Sequence, residues 1–243
     1  MVRVLTAHQP QYLPWLGLFQ KISMSDVFCL WDDVQFTQDS FIHRNNIKNP
    51  NGQLLLTVPI HTENFMEKTI KDMEIDNGHA WKRNHWNSIS FSYAANAPYF
   101  ESYKDFFEAT YNRDWVKIAD LDEHILRYML KELKIDVEFL RSSDLQFEGK
   151  KNDRILDMCL KLNADILVFG QTGETYADEA MFTEKGVKLY FQKYKHPKYP
   201  QLYGNFIPNL SAIDLLFCFG EKSRDILTKN NPTRQDIVKK YSQ

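Results

Sequence analysis

Short apolar runs separated by polar turns succeed one another along the chain, and their order predicts a parallel sheet. Residues 3–7, Arg3-Val4-Leu5-Thr6-Ala7, read as a strand. The strand runs into His8-Gln9-Pro10-Gln11-Tyr12-Leu13-Pro14-Trp15, a stiff polar-aromatic turn, and then a short helix over 16–25. Residues 26–31 read as a second strand ending in Asp32-Asp33-Val34-Gln35-Phe36. In such a strand-helix-strand unit both strand ends open on one edge of the sheet. Asn51-Gly52 is a turn dipeptide, so residues 47–48 and 54–58 are expected to pair as a hairpin, with 53–60 a buried strand. Alternation over 68–75 predicts another strand. Helical spacing begins near Ala80, with Trp81, His85, Trp86 and Ile89, then Tyr103, Phe106, Phe107 and Tyr111, then a third helix over 119–133. Strand-helix-strand grammar returns at 137–140, 152–162 and 164–170, followed by a short helix at 179–182 and a strand over 187–192. Residues 209–217 read as an amphipathic helix capped by Asn209 or Ser211, extended by 221–227, and the last dozen residues read as frayed. The expected fold is α/β: a mostly parallel sheet with flanking helices and a helical insertion at about 80–133. One domain over 1–230 would carry a polar tail at 231–243.

Composition narrows the class. The 243 residues are 43% hydrophobic and 26% charged, which suits a soluble globular chain. A net charge of −2 without a lysine- or arginine-dense run disfavours duplex nucleic acid as partner. Cys29, Cys159 and Cys218 are far apart, fit no zinc or disulfide spacing, and read as buried thiols of a reducing cytosol. No apolar run reaches the ~18–20 residues of a membrane span, and no leader pattern opens the sequence, so a cytoplasmic location is expected. Aromatics at 14% supply a core and leave some rings to line a site that stacks flat ligands.

The candidate chemistry gathers at predicted strand ends. Pro10 and Pro14 stiffen the turn that aims His8, a residue able to act as base, proton donor or phosphate holder. Gln9, Tyr12 and Trp15 accompany it. Asp32-Asp33 with Gln35 closes the second strand; at most one of the two carboxylates reaches a given site, since successive strand residues alternate faces. Arg44, Asn45 and Lys48 form a polar basic group suited to an anionic substrate. Residues 170–176 place Gly170 and Gly173 in a polar loop ending at Tyr176, without the lysine of a phosphate loop. His196-Pro197-Lys198-Tyr199-Pro200-Gln201 repeats the flavour of the first turn and is expected to face it, followed by Asn209, Ser211 and Asp214. Each group also has a plain reading as a cap, a turn or a solvated loop. The strand–His–helix–strand opening has the layout of nucleotide-handling enzymes with a His-x-x-His turn, but position 11 is Gln, so that motif is incomplete.

His8-Gln9-Pro10-Gln11-Tyr12-Leu13-Pro14-Trp15-Leu16-Gly17 resembles the opening of the WbqC-like family, as do Asp33-Val34-Gln35-Phe36, Arg44-Asn45, Thr57-Val58-Pro59, Phe191-Gln192 and Leu210-Ser211-x-Ile213-Asp214. The likeness runs from residue 4 to about 228. It departs at Ala177, where leucine is expected, and at Asp122, where asparagine is expected. The resemblance implies bacterial surface-polysaccharide (O-antigen, lipopolysaccharide) biosynthesis and a glycine transferase. Such an enzyme would form an amide between glycine, or another small acyl or aminoacyl group, and a nucleotide-linked amino sugar. On that reading His8 is the base, Gln9, Gln35 or Asn45 donates to the oxyanion, Asp33 orients His8, and Arg44 and Lys48 hold phosphate. ATP with Mg²⁺ enters if the acid is activated by adenylation; no metal site is otherwise expected. The rival readings are a nucleotidyltransferase-like enzyme, with Asp32 or Asp33 on Mg²⁺, and a non-catalytic sugar-nucleotide binding protein.

Overall fold

A computed structural model describes residues 2–241; Met1, Ser242 and Gln243, and with them the outer ends of the expected domain and tail, lie outside the described residues. Strand β1 (Val4–His8) feeds helix α1 (Leu16–Ser23) and parallel strand β2 (Val27–Leu30), with Ala7 opposite Cys29 and His8 opposite Leu30. Strands β3 (Arg44–Asn49) and β4 (Gly52–Thr57) form a separate antiparallel hairpin, Ile47 opposite Leu54. The expected buried strand over 53–60 is thus a half-exposed hairpin arm that leaves Leu55 open to solvent. Residues 68–75, expected as a strand, instead form a 3-10 turn at Ile70–Asp72 with isolated bridges on either side. Their alternation serves a loop that buries Ile70, Met73 and Ile75 against the helices. Three helices follow, α2 (Trp81–Tyr93), α3 (Phe100–Asn112) and α4 (Ile118–Glu132).

The chain then returns to the sheet through β5 (Glu138–Arg141), α5 (Asn152–Lys161), β6 (Ile166–Phe169), α6 (Glu179–Glu184) and β7 (Lys188–Phe191). The five-stranded order is β5-β2-β1-β6-β7, all parallel. Strand alternation sorts the core into two faces. Leu5, Val27, Cys29, Leu167 and Phe169 pack with Leu156, Met158 and Phe182 of α5 and α6. Phe28 and Leu30 pack on the opposite side with α1 and the helical insertion. Because β2 and β6 flank β1 on opposite sides, the connections leave β1 in opposite directions, and a crevice opens between the C-terminal ends of β1 and β6.

The C-terminal part closes the molecule with α7 (Ile213–Phe219), α8 (Ser223–Thr228) and α9 (Arg234–Tyr241). The amphipathic helix starts at Ile213 rather than 209. Ser211 N donates to Asn46 O and Ala212 N donates to Pro14 O, so those residues bind the hairpin and the first turn instead of opening the helix. The tail expected to fray is helical over 234–241: Ile237 is buried beside Val4 and Met24, and Arg234 grips both carboxylate oxygens of Asp26.

Candidate active site

Three side chains of the first turn reach the crevice because β1 ends there. His8, Gln9 and Trp15 line cavities of about 410 Å³ and 400 Å³ that meet at His8, one toward α5 and one toward α1. Both volumes suit small-molecule sites, ~300–1,000 Å³. The His8 Nδ1–H donates to the Gln9 carbonyl at 2.8 Å. A carbonyl only accepts, so in the neutral ring Nε2 keeps its lone pair free. Burial first, then the positive charge of Lys21, lower the imidazole pKa to about 3, against the Gln9 hydrogen bond, which raises it.

The turn itself is held from outside. Leu13 sits at φ 45°, a left-handed backbone unusual for leucine, and Asn45 Nδ2 donates to the carbonyls of Tyr12 and Leu13. Trp15 lies flat over Gly17, where a Cβ would stand 2.2 Å from the indole, so only glycine admits this ring on the helix backbone. Its edge meets Tyr194 in a T-shaped pair.

The remaining predicted residues divide. Gly170 lines both cavities, and a Cβ there would meet nothing within 4 Å. Tyr176, 55% exposed, lines the first cavity; His196 and Asn209 line the second. Both nitrogens of His196 are engaged: Nδ1–H donates to Pro197 O and Nε2 accepts from Asn209 N. Gly173 is buried against the Phe169 ring, below the loop surface. Tyr12 is fully buried among the insertion helices, its hydroxyl bonded to His85 and Tyr111. Lys48, Tyr199, Gln201, Ser211 and Asp214 lie in or beside a buried seam between the hairpin and the C-terminal helices. There Lys48 donates to Gln201, and Tyr93 and Tyr199 donate to the Asp214 carboxylate, whose pKa burial raises. Ser211 joins that seam through the Trp15 bridge and the Asn46 carbonyl. Arg44 pairs loosely with Asp39 on the surface, and exposed Gln35 donates to Met66 O.

Asp32 and Asp33 are committed to protein partners. The Asp32 carboxylate accepts from Arg141 Nε, Ser142 Oγ, Ser143 N and Ser143 Oγ. Asp33 accepts from Arg154 and lies 2.6 Å from Ser142 Oγ, whose single proton it shares with Asp32. The Gln9 carbonyl, not Asp33, orients His8. Nor do these carboxylates fit a Mg²⁺ ion: four donors already occupy Asp32, and the guanidinium of Arg154 on Asp33 opposes a second cation there.

Residues 9–226 match the pattern of the WbqC-like protein family. The chain belongs to this family. A similar relative is "Uncharacterized protein Rv1507c" of Mycobacterium tuberculosis (strain ATCC 25618 / H37Rv), 30% identical over 221 residues that cover 90% of this chain and 95% of the relative. No solved structure matches.

In this WbqC-like protein one charged member of the crevice lies outside the strand ends and loops that predict the site. Lys21 lines both cavities, is only 4% exposed, and donates to the Ala7 carbonyl at 3.0 Å. Burial alone pushes its pKa down to about 7, with no carboxylate offsetting the cost. The signal was present: Lys21 is a lone charge in Leu16-Gly17-Leu18-Phe19-Gln20-Lys21-Ile22, every residue of which is buried. Thr172 also lines both cavities, and Trp31 and Tyr194 each line one; among the described residues Trp31 Nε1 and the Tyr194 hydroxyl have no hydrogen-bond partner.

Proposed function

We propose that this protein is an amide-forming transferase that acylates the amine of a nucleotide-linked amino sugar with glycine or another small acyl group, in bacterial surface-polysaccharide biosynthesis. The observation that carries the reading is His8: a neutral imidazole with a free Nε2, facing a two-lobed crevice between β1 and β6. Family membership supports the biological setting.

The chemistry follows from those groups. The sugar nitrogen attacks the activated acyl carbonyl, a C–N bond forms, and the C–O bond to the leaving group breaks. The proton lost from nitrogen passes to His8 Nε2 and then to the leaving oxygen. Gln9, beside His8, supplies an amide donor for the developing oxyanion. A base with a pKa near 3 is weak, but a bound anion raises an adjacent imidazole toward neutrality, so substrate itself readies the base.

A second reading, nucleotidyl transfer from a nucleoside triphosphate, is favoured by the strand order. The five strands follow the 3-2-1-4-5 order of doubly wound nucleotide-binding sheets, which is fold-level analogy. One assay separates the two. Amine-bearing nucleotide sugars are incubated with glycine and ATP, or with glycyl-tRNA, and analysed by mass spectrometry. A glycyl-sugar product supports amide transfer; pyrophosphate release with a nucleotidylated sugar and no amide overturns it.

A further inference from the structure

Two cavities that open on opposite faces of the sheet share the same four residues where they meet: His8, Lys21, Gly170 and Thr172. We propose that Lys21 and Thr172 form an anion subsite at this waist, where the diphosphate of a nucleotide-linked substrate lies with its nucleoside in the α5-side lobe and its sugar in the Trp15 lobe. This rests on the reading of the substrate as nucleotide-linked.

Lys21 is the core of the argument. A buried ammonium normally has a carboxylate partner or pays a large desolvation cost. Among the described residues Lys21 has one backbone carbonyl and no acid beside it, yet its side chain borders both lobes. An anion arriving from the crevice supplies the missing partner. Thr172 adds a hydroxyl donor, and the bare Gly170 backbone lets phosphate oxygens approach closely.

The lobes differ in chemistry. The α5-side lobe is walled by Trp31, Val34, Ile155, Met158 and the exposed ring of Tyr176, an apolar slot for a flat base. The α1-side lobe offers Trp15 and Tyr194 rings with Gln192 and Asn209, the aromatic-and-amide mixture that suits a sugar. Phosphate is thereby assigned to Lys21, and not to Arg44 or Lys48, which sit on the surface and in the buried seam.

The anion would also draw a proton onto the protein. Besides Lys21, the titratable groups lining the two lobes are His8, Tyr176, Tyr194 and His196. At pH 8 Lys21 is largely neutral in the free protein, so anion binding takes up a proton there.

Isothermal titration of the full-length protein tests this with pyrophosphate, with UDP, GDP, CDP and dTDP, and with the matching nucleosides. Wild type should bind pyrophosphate and at least one nucleoside diphosphate, with proton uptake at pH 8 revealed by buffers of different ionisation enthalpy. Lys21→Met should weaken both ligands at least tenfold and abolish the uptake; Lys21→Arg should restore affinity without uptake. Tyr176→Ala should weaken the nucleoside diphosphate but not pyrophosphate. Absence of pyrophosphate and diphosphate binding in wild type, or unchanged affinity in Lys21→Met, overturns the subsite. These titrations read binding alone, so a failure of amide formation with intact Lys21-dependent binding counts against the reaction and not against the subsite.

Discussion

His8, Lys21 and Asp122 are all held in unusual protonation equilibria by burial, and each gives a signed expectation. His8 in the free protein is neutral above about pH 3, so it contributes no acid limb to kcat/KM above pH 5. If charged Lys21 holds the substrate, kcat/KM falls as pH rises through about 7, and Lys21→Arg moves that fall to higher pH. Lys21 also bears on stability. Its folded pKa lies below the ordinary lysine value, so the unfolded chain binds more protons between about 7 and 10.5, and stability rises with pH across that window. Lys21→Met removes the penalty. Its melting temperature should exceed wild type by several degrees at pH 7, with the gap closing toward pH 10, as differential scanning calorimetry would read. Asp122 has the opposite sign. Neither carboxylate oxygen has a hydrogen-bond partner among the described residues, and burial pushes its pKa well above the usual range. Its native state binds the extra proton, so stability drops as pH climbs above the ordinary carboxylate range. Asp122→Asn, the residue the family resemblance leads one to expect, should raise the melting temperature at pH 7 and match wild type near pH 4.

The ends of β2 and β5 are locked by one carboxylate. Asp32 gathers Arg141, Ser142 and Ser143, all beyond the end of the neighbouring strand or at it. Asp32→Ala removes the partner of Arg141 Nε and of the Ser143 hydroxyl and amide, although Arg141 keeps Asp120 and Ser142 keeps Asp33, and should cost about 1–3 kcal/mol in urea unfolding while leaving ligand affinity of the folded fraction unchanged. Gly17→Ala acts differently: it displaces the Trp15 indole, and should weaken sugar-bearing ligands more than nucleoside diphosphates in titration. Elements were legible where period and apolarity agreed. β1, α1, β2, β6 and β7 follow directly from their short apolar runs and polar ends. Residues 68–75 and 209–212 were not, because long-range backbone partners decide them. Ile70 N donates to Val34 O, and Ser211 N to Asn46 O, pairings that no local pattern encodes. Likewise α9 owes its order to Asp26, more than two hundred residues away.

At the scale of the whole molecule, the position of the crevice follows from strand order. The first strand-helix-strand unit predicts a shared sheet edge, but only the placement of β6 beside β1 opens a gap there. His8 and Gln9 were legible because they end β1. Lys21 was hidden in the apolar face of α1, and Thr172, Gln192 and Tyr194 arrive from segments whose distance in sequence conceals their meeting. The His196–Gln201 stretch splits: His196 lines a lobe while Tyr199 and Gln201 turn into the seam around Asp214. That seam engages the Lys48 ammonium with Gln201 and the Asn205 carbonyl, whereas Arg44 of the same basic cluster pairs with Asp39 on the surface. Among the described residues no helix is long and apolar enough to cross a membrane. The most direct test of the account is the formation of a glycyl amide on a nucleotide-linked amino sugar by wild type and by His8→Gln, followed by mass spectrometry with glycyl-tRNA or glycine plus ATP as donor. Wild type should make the amide, and His8→Gln should make it roughly 10²–10⁴-fold more slowly while binding nucleoside diphosphate. Equal rates in the two proteins would contradict the assignment of the crevice as the catalytic centre.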